Sequence, residues 1–279
     1  MITIVEFRIL EKYAKEFLSD NIGQCKMGIV RVVKTPVDSL LYREIMKINE
    51  IIRERDQKHF FLGWEIRRNY SKEELDNADL LLINLKKTFE PSGVECGTQY
   101  DNKDSCIYCG YGIKHISNLL LSCRSIPKNV DIARTISSEI LVSSNFSSEM
   151  INNDFSGFSF TDVYDNLTTQ LCENWKQLKG ITSIKISPET ITGNDPFDLD
   201  LENKYRCIRK HTIGLNRLSE LIIFRNSWDG SDFVVTDEHL GVFRGLLRTY
   251  PLMCISQKVY RSIIDCGIRG MSFEIVRMI

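Results

Sequence analysis

Three cysteines, Cys96, Cys106 and Cys109, fall within fourteen residues of this chain, and two of them are followed at once by glycine, Cys96-Gly97 and Cys109-Gly110. Cys106-x-x-Cys109-Gly110 has the form of a metal knuckle. Two intervening residues let both sulfurs point at one ion, and the glycine permits the tight backbone that turns amides toward sulfur. Cys96-Gly97 repeats the second half of that knuckle, with Gly93 where its first cysteine would stand. Three soft ligands favour zinc over hard cations. Structural zinc closes with four ligands, so one must come from elsewhere. Cys207 is the first choice, because a distant ligand would staple two halves of the chain, and His211 is the alternative fourth ligand. Cys123 and His115 lie closer in sequence. Should Cys96 face away, Cys106, Cys109, Cys207 and His211 would make a Cys3His set. The competing reading is of free cysteines in a glycine-rich loop. A redox C-x-x-C normally opens a helix, which Gly110-Tyr111-Gly112 opposes.

Other chemistry is sparsely marked. The H-E-x-x-H zinc motif is absent, and Ser105 stands where a nucleobase deaminase would need proline. With four histidines and no residues spaced as a triad, no catalytic residues are assigned and the chain reads as a non-enzyme. Gly110-Tyr111-Gly112 lacks the remainder of a phosphate loop, and Asp195, Asp198, Asp200 and Glu202 lack the spacing of a calcium loop. Arg206, Arg209, Lys210, His211 and Arg217, followed by Arg244 and Arg248, are locally basic. Beside a zinc ribbon, with Tyr100, Tyr108 and Tyr111 as stacking platforms, they suit RNA or DNA. Against that, 36 Lys and Arg nearly cancel 37 Asp and Glu for a net charge of -1, without the basic excess of most phosphate trackers.

The 279 residues suffice for one large domain or two modest ones. Glu6, Arg8, Glu11 and Lys12 interrupt the N-terminal apolar residues, so no signal peptide is read, and no apolar run is long enough to span a membrane. The chain reads as cytosolic. Nine cysteines in such a chain suggest metal binding or buried free thiols rather than a disulfide framework, with Cys25, Cys172, Cys254 and Cys266 as small buried residues.

These ligands need a scaffold. Strands are expected over residues 2–10, 28–33, 59–67, 80–85, 116–121, 218–224, 233–235 and 271–278. Leu41, Ile45, Ile48 and Ile52 recur at helical spacing. Ser71 to Glu74 is a capping box, Asp131 an N-cap for a helix over 132–141, and Ser256 the cap of another helix ended by Gly267. The fold class is α+β, with mixed, largely antiparallel sheets and a zinc-ribbon-like insertion. Four portions are read: 1–92, N-terminal α/β; 93–186, the zinc knuckle; 187–203, an acidic exposed loop or boundary; and 204–279, C-terminal α+β, which can form one unit with the knuckle portion.

Residues 93 to 164, with Cys96-Gly97, Cys106-Ile107-Tyr108-Cys109-Gly110, Ile126-Pro127-Lys128, Glu139 to Ser143 and Gly157-Phe158-Ser159-Phe160, resemble the bacterial double-CxxCG motif proteins, departing from their pattern at Gly93. That family is linked with immunity proteins of interbacterial toxin systems. The resemblance implies a protein that binds and neutralises a cognate toxin in the cytoplasm, with zinc as a staple and no active site. The expected order of functions is therefore a zinc-stapled binding protein, then a nucleic-acid-binding zinc-ribbon protein, then a zinc-dependent hydrolase.

Overall fold

The computed structural model describes all residues from Met1 to Ile279, which divide into two compact units, Met1–Glu74 and Leu75–Ile279. In the first, strand Ile2–Leu10 lies between Val30–Pro36 and Phe61–Asn69, antiparallel to both, with Gln24–Lys26 at the edge. Val5, Phe7 and Ile9 alternate along the central strand and are fully buried. Helix Leu40–Asp56 buries Ile45, Ile48 and Ile52, as its periodicity predicts. Ser39 caps it by accepting the Tyr42 N–H, and Gln57 ends it in the left-handed region. The Ser71/Glu74 box is formed reciprocally: Ser71 N–H donates to Glu74 (2.7 Å) and Glu74 N–H donates to the Ser71 hydroxyl (3.1 Å).

Two six-stranded sheets make up most of the second unit. One runs Thr88–Phe89, Ile132–Thr135, Ile140–Ser143, Leu171–Gly180, Phe158–Asp165, Leu119–Leu121. The other runs Ser183–Ile184, Phe233–Leu240, Tyr250–Ser256, Leu80–Leu85, Met271–Met278, Leu221–Ile223. Central pairings are antiparallel and peripheral ones parallel, so the class is α+β with mixed sheets. The uninterrupted apolar run Leu80 to Ile83 follows from burial on both faces. Leu81 and Ile83 join one core with Phe146, Phe233 and Val259, and Leu80 and Leu82 join another with Ile184, Leu221 and Cys254. The predicted helix Gln257–Asp265, capped by Ser256, packs Val259, Tyr260 and Ile263 into the first core. No helix is long and apolar enough to cross a membrane.

Two expectations are corrected. The predicted helix over 132–141 is a β-hairpin, Ile132–Thr135 with Ile140–Ser143, turning at Ser138 with φ +73°. Its Ile132/Val142 and Ala133/Leu141 pairs fill opposite cores, a two-sided burial that one amphipathic helix face cannot supply. Asp131 caps no helix; its carboxylate accepts the Ser143 hydroxyl and the Arg269 N–H. Nor is the acidic stretch 187–203 a solvated loop. Thr192–Asp195, Asp198–Leu199 and Asn216–Arg217 form a three-stranded sheet, and Asp195 and Asp200 are buried. Each carboxylate accepts a local backbone N–H, from Phe197 and Tyr205 respectively, which offsets its desolvation.

The cysteine segment is anchored at its base by a buried carboxyl. The Tyr100 hydroxyl donates to Glu139 Oε1 at 2.5 Å, and the Thr135 hydroxyl donates to Oε2. A Cβ on Gly93 would stand 2.5 Å from the Tyr100 hydroxyl and 3.0 Å from Glu139, which accounts for glycine there in place of a cysteine. Burial pushes the Glu139 carboxyl above its ordinary 4.5, against the lowering effect of the Tyr100 hydrogen bond. The folded state therefore holds the proton more tightly than the unfolded chain, and stability is lost as pH rises from about 4.5 through the raised value. Glu139→Gln should gain stability relative to wild type across that rise. Urea unfolding at pH 4.5 and pH 8 measures the difference, and parallel pH profiles for the two proteins would contradict the assignment.

Candidate metal centre

Two turns of similar construction bring the candidate ligands together. In the first, Gly110 N–H donates to the Cys106 carbonyl (2.7 Å) and Cys106 N–H to the Tyr111 carbonyl (2.8 Å), with Gly110 at φ +67°. In the second, Lys210 N–H donates to the Cys207 carbonyl (2.8 Å), and Cys207 N–H reaches the carbonyl (3.4 Å) and hydroxyl (2.8 Å) of Thr212. Lys210, at φ +62°, supplies the left-handed residue that glycine supplies in the first turn. Asp200, its side chain fully buried, sets the approach to this turn by accepting from Tyr205 N–H (3.1 Å) and Arg206 Nε (3.3 Å).

Cys106, Cys109, Cys207 and His211 converge so that one ligand atom from each lies within 4.8 Å of all the others. Cys106 Sγ is 3.6 Å from Cys207 Sγ, and His211 Nδ1 is 3.7 Å from Cys109 Sγ and 4.0 Å from Cys207 Sγ. Tetrahedral zinc, with bonds of about 2.3 Å to sulfur and about 2.0 Å to nitrogen, requires sulfur–sulfur edges of about 3.8 Å and sulfur–nitrogen edges of about 3.6 Å. The donor set fits a metal ion in both geometry and chemistry. The three cysteines are buried, at 2–7% exposure, and His211 is half-buried.

Amides aim at the sulfurs. Arg209 N–H donates to Cys207 Sγ at 3.4 Å, and the amides of Tyr108 and Cys109 donate to Cys106. Burial opposes ionisation of the Cys106 thiol, but those amides, with His211 and Cys207, outweigh it and bring the thiol down to about 6. Burial pushes Cys109 up to about 12, opposed by the Tyr111 amide and reinforced by the neighbouring thiols. Without a cation, the cluster thus favours one thiolate over several.

An outer layer holds the turns. The Tyr111 ring stacks on His211 at 4.5 Å and leans on His239 at 4.8 Å. The Thr249 hydroxyl donates to the Cys109 carbonyl (2.9 Å), so it accepts from His239 Nδ1 at 3.3 Å. Burial, then His211, brings His239 down to about 4 and keeps it neutral at physiological pH. The Phe243 ring covers Gly110 so closely that a Cβ there would meet it at 2.6 Å. Sequence reading missed Asp200 as a support, along with Tyr111, His239 and Thr249. Their roles depend on contacts across up to 140 residues, which no local spacing records.

Cys96 is not one of the four. Its thiol is buried against the Ser122 amide and pushed up by that burial, and Gly93 leaves its half-knuckle without a partner cysteine. His211 stands with Cys207 instead. His115, the nearer histidine, turns Nδ1 to the Ser117 carbonyl. Cys123, the nearer cysteine considered as a fourth ligand, is joined in a disulfide to Cys172, expected as a small buried residue. Cys254 is buried as expected, whereas Cys25 and Cys266 are exposed.

Asp200→Ala should weaken metal binding by about 10- to 100-fold, the usual effect of losing a group that orients ligands. Competition against a chelator measures it, and an unchanged affinity would remove Asp200 from the site. No protein-family model matches the chain, and no curated protein matches it.

Proposed function

We propose that Cys106, Cys109, Cys207 and His211 bind one structural zinc ion, and that the protein acts by binding another protein through the turns this ion fastens. The observation that carries the first part is the near-tetrahedral spacing of three sulfurs and one imidazole nitrogen. Three thiolates and one imidazole suit zinc, and four protein ligands leave no open position for a reacting water, so the centre is a staple rather than a catalyst. The short antiparallel ladder of Tyr100–Asp101 with Lys114–His115, which brackets the first turn, supports reading it as a small ribbon.

The contact face we assign is the pair of turn tips. Ile107, Tyr108 and Ile208 are 75%, 55% and 72% exposed, and the Arg209 guanidinium lies 5.9 Å from the centre of the Tyr108 ring. Tyrosine and arginine flanked by apolar side chains are the usual anchors of protein interfaces. With the resemblance to the double-CxxCG proteins, the partner is read as a toxin domain neutralised by direct binding in the cytoplasm. A nucleic-acid surface ranks lower. Of its three stacking tyrosines only Tyr108 is exposed, while Arg206 pairs with Asp200 and Arg217 with Glu274.

Metal analysis of purified protein should give one zinc per chain. Cys106→Ser should fall well below one equivalent and Cys96→Ser should keep it. Loss of zinc from Cys96→Ser, with Cys106→Ser intact, would reassign the site. On the partner side, Tyr108→Ala should retain zinc and lose the protein that co-purifies with wild type from the native host. Salt-sensitive binding to RNA in place of a protein would transfer the face to the second reading.

A further inference from the structure

A cavity of about 450 Å3 opens within the second unit, far in sequence from the metal ligands and sharing no residue with them. Its apolar walls include Ile83, Leu85, Ile140, Val235 and Met253. That volume falls in the ordinary range of small-molecule sites. Two cations line it, Arg134 and Lys179, and neither has a carboxylate within ion-pair distance. The Arg134 guanidinium lies 4.4 Å over the Tyr250 ring, also a lining residue, and its only hydrogen bond is a long one from Nε to the Thr88 hydroxyl (3.4 Å). Burial lowers the Lys179 pKa, as expected for an ammonium short of a counter-charge. One acid, Glu139, lines the cavity. Its oxygens accept from the Tyr100 and Thr135 hydroxyls rather than from either cation.

Strand register explains why these groups meet. Arg134 pairs with Ile140, and Ile140 with Leu178, so Arg134 stands on the sheet face that carries the apolar walls. Strand alternation turns the side chain of Lys179, the next residue along that third strand, to the opposite face, so Arg134 is the cation that register places on the cavity side. The combination is an apolar cleft with a stacked, donor-rich guanidinium at its edge. From it we propose that the cavity binds a small organic anion, a carboxylate or phosphate monoester with an apolar body. Its charged group would sit at Arg134 over Tyr250, and its body between the two sheets. Arginine suits this task because its planar fork donates two parallel hydrogen bonds to either oxyanion.

The test uses the full chain and 8-anilinonaphthalene-1-sulfonate, an apolar anion, beside its uncharged counterpart N-phenyl-1-naphthylamine. The sulfonate should saturate at one site per chain. Arg134→Gln should weaken it by about tenfold or more, the effect of losing a charge-assisted hydrogen bond, while changing binding of the neutral probe by less than about twofold. Arg134→Lys should fall between the two, and it serves if Arg134→Gln unfolds. Octanoate or octyl phosphate should displace the sulfonate where octanol does not, and the more effective of the two identifies the headgroup. Equal sulfonate affinity in wild type and in whichever Arg134 variants fold would overturn the proposal. So would equal loss of the neutral probe, or binding without saturation.

Discussion

Everything distinctive in the second unit turns on one constraint: three thiols and an imidazole from turns about a hundred residues apart share a space under 5 Å across. Three thiolates cannot occupy that space unaided, and the opposite displacement of Cys106 and Cys109 expresses the conflict. A divalent cation would resolve it, since it would stabilise every thiolate at once. For structural zinc this gain is on the order of 10 kcal/mol, comparable to the whole net stability of a domain. On the zinc reading, metal binding and closure of the two turns are one equilibrium. The ligands belong to the second unit alone, so the staple fastens distant segments of that unit to each other.

How much of this the sequence records depends on whether the determinant is local. The knuckle at Cys106 is legible because its left-handed residue is a glycine, Gly110, set beside two cysteines at fixed spacing. The matching turn at Cys207 is scarcely visible. Its left-handed residue is Lys210, and its support comes from Asp200 and Thr212 rather than from a repeated motif. Helices whose stripe faces one core, such as Leu40–Asp56 and Gln257–Asp265, follow directly from apolar periodicity. The segment from Ile132 to Ser143 does not, because its apolar residues divide between two cores and that division is set by distant strands. The acidic stretch misleads for a related reason. Charge alone suggests solvent, yet Asp195 and Asp200 are buried where nearby amides and an arginine receive them.

Cysteine shows the same dependence on partners. Cys96 carries the glycine that follows a knuckle cysteine, but at the position three residues earlier a Cβ would have to displace the side-chain ends of Tyr100, Leu119 and Glu139. Its turn survives as architecture without a metal role. Cys123 and Cys172, 49 residues apart, carry no motif, yet the fold of their shared core sets their Cα atoms 6.1 Å apart, within disulfide reach. Identical thiols are thus candidate ligand, core filler or bridge according to what the backbone brings beside them.

On the proposed reading, a filled four-ligand centre would also bear on where function resides. With Tyr111 held between two imidazoles, Phe243 on Gly110 and Thr249 on the Cys109 carbonyl, the inner side of the centre is sealed by packing. Its outer side carries Ile107, Tyr108 and Ile208 into solvent. Side chains on backbone already fixed by a metal lose little freedom when they dock, so more of their contact energy appears as affinity. On the proposed reading, the ion contributes to binding without touching the partner, by removing in advance the entropy that two flexible loops would lose on docking. A closed zinc centre is thereby compatible with a function in recognition, because rigidity at the tips is what recognition requires of it.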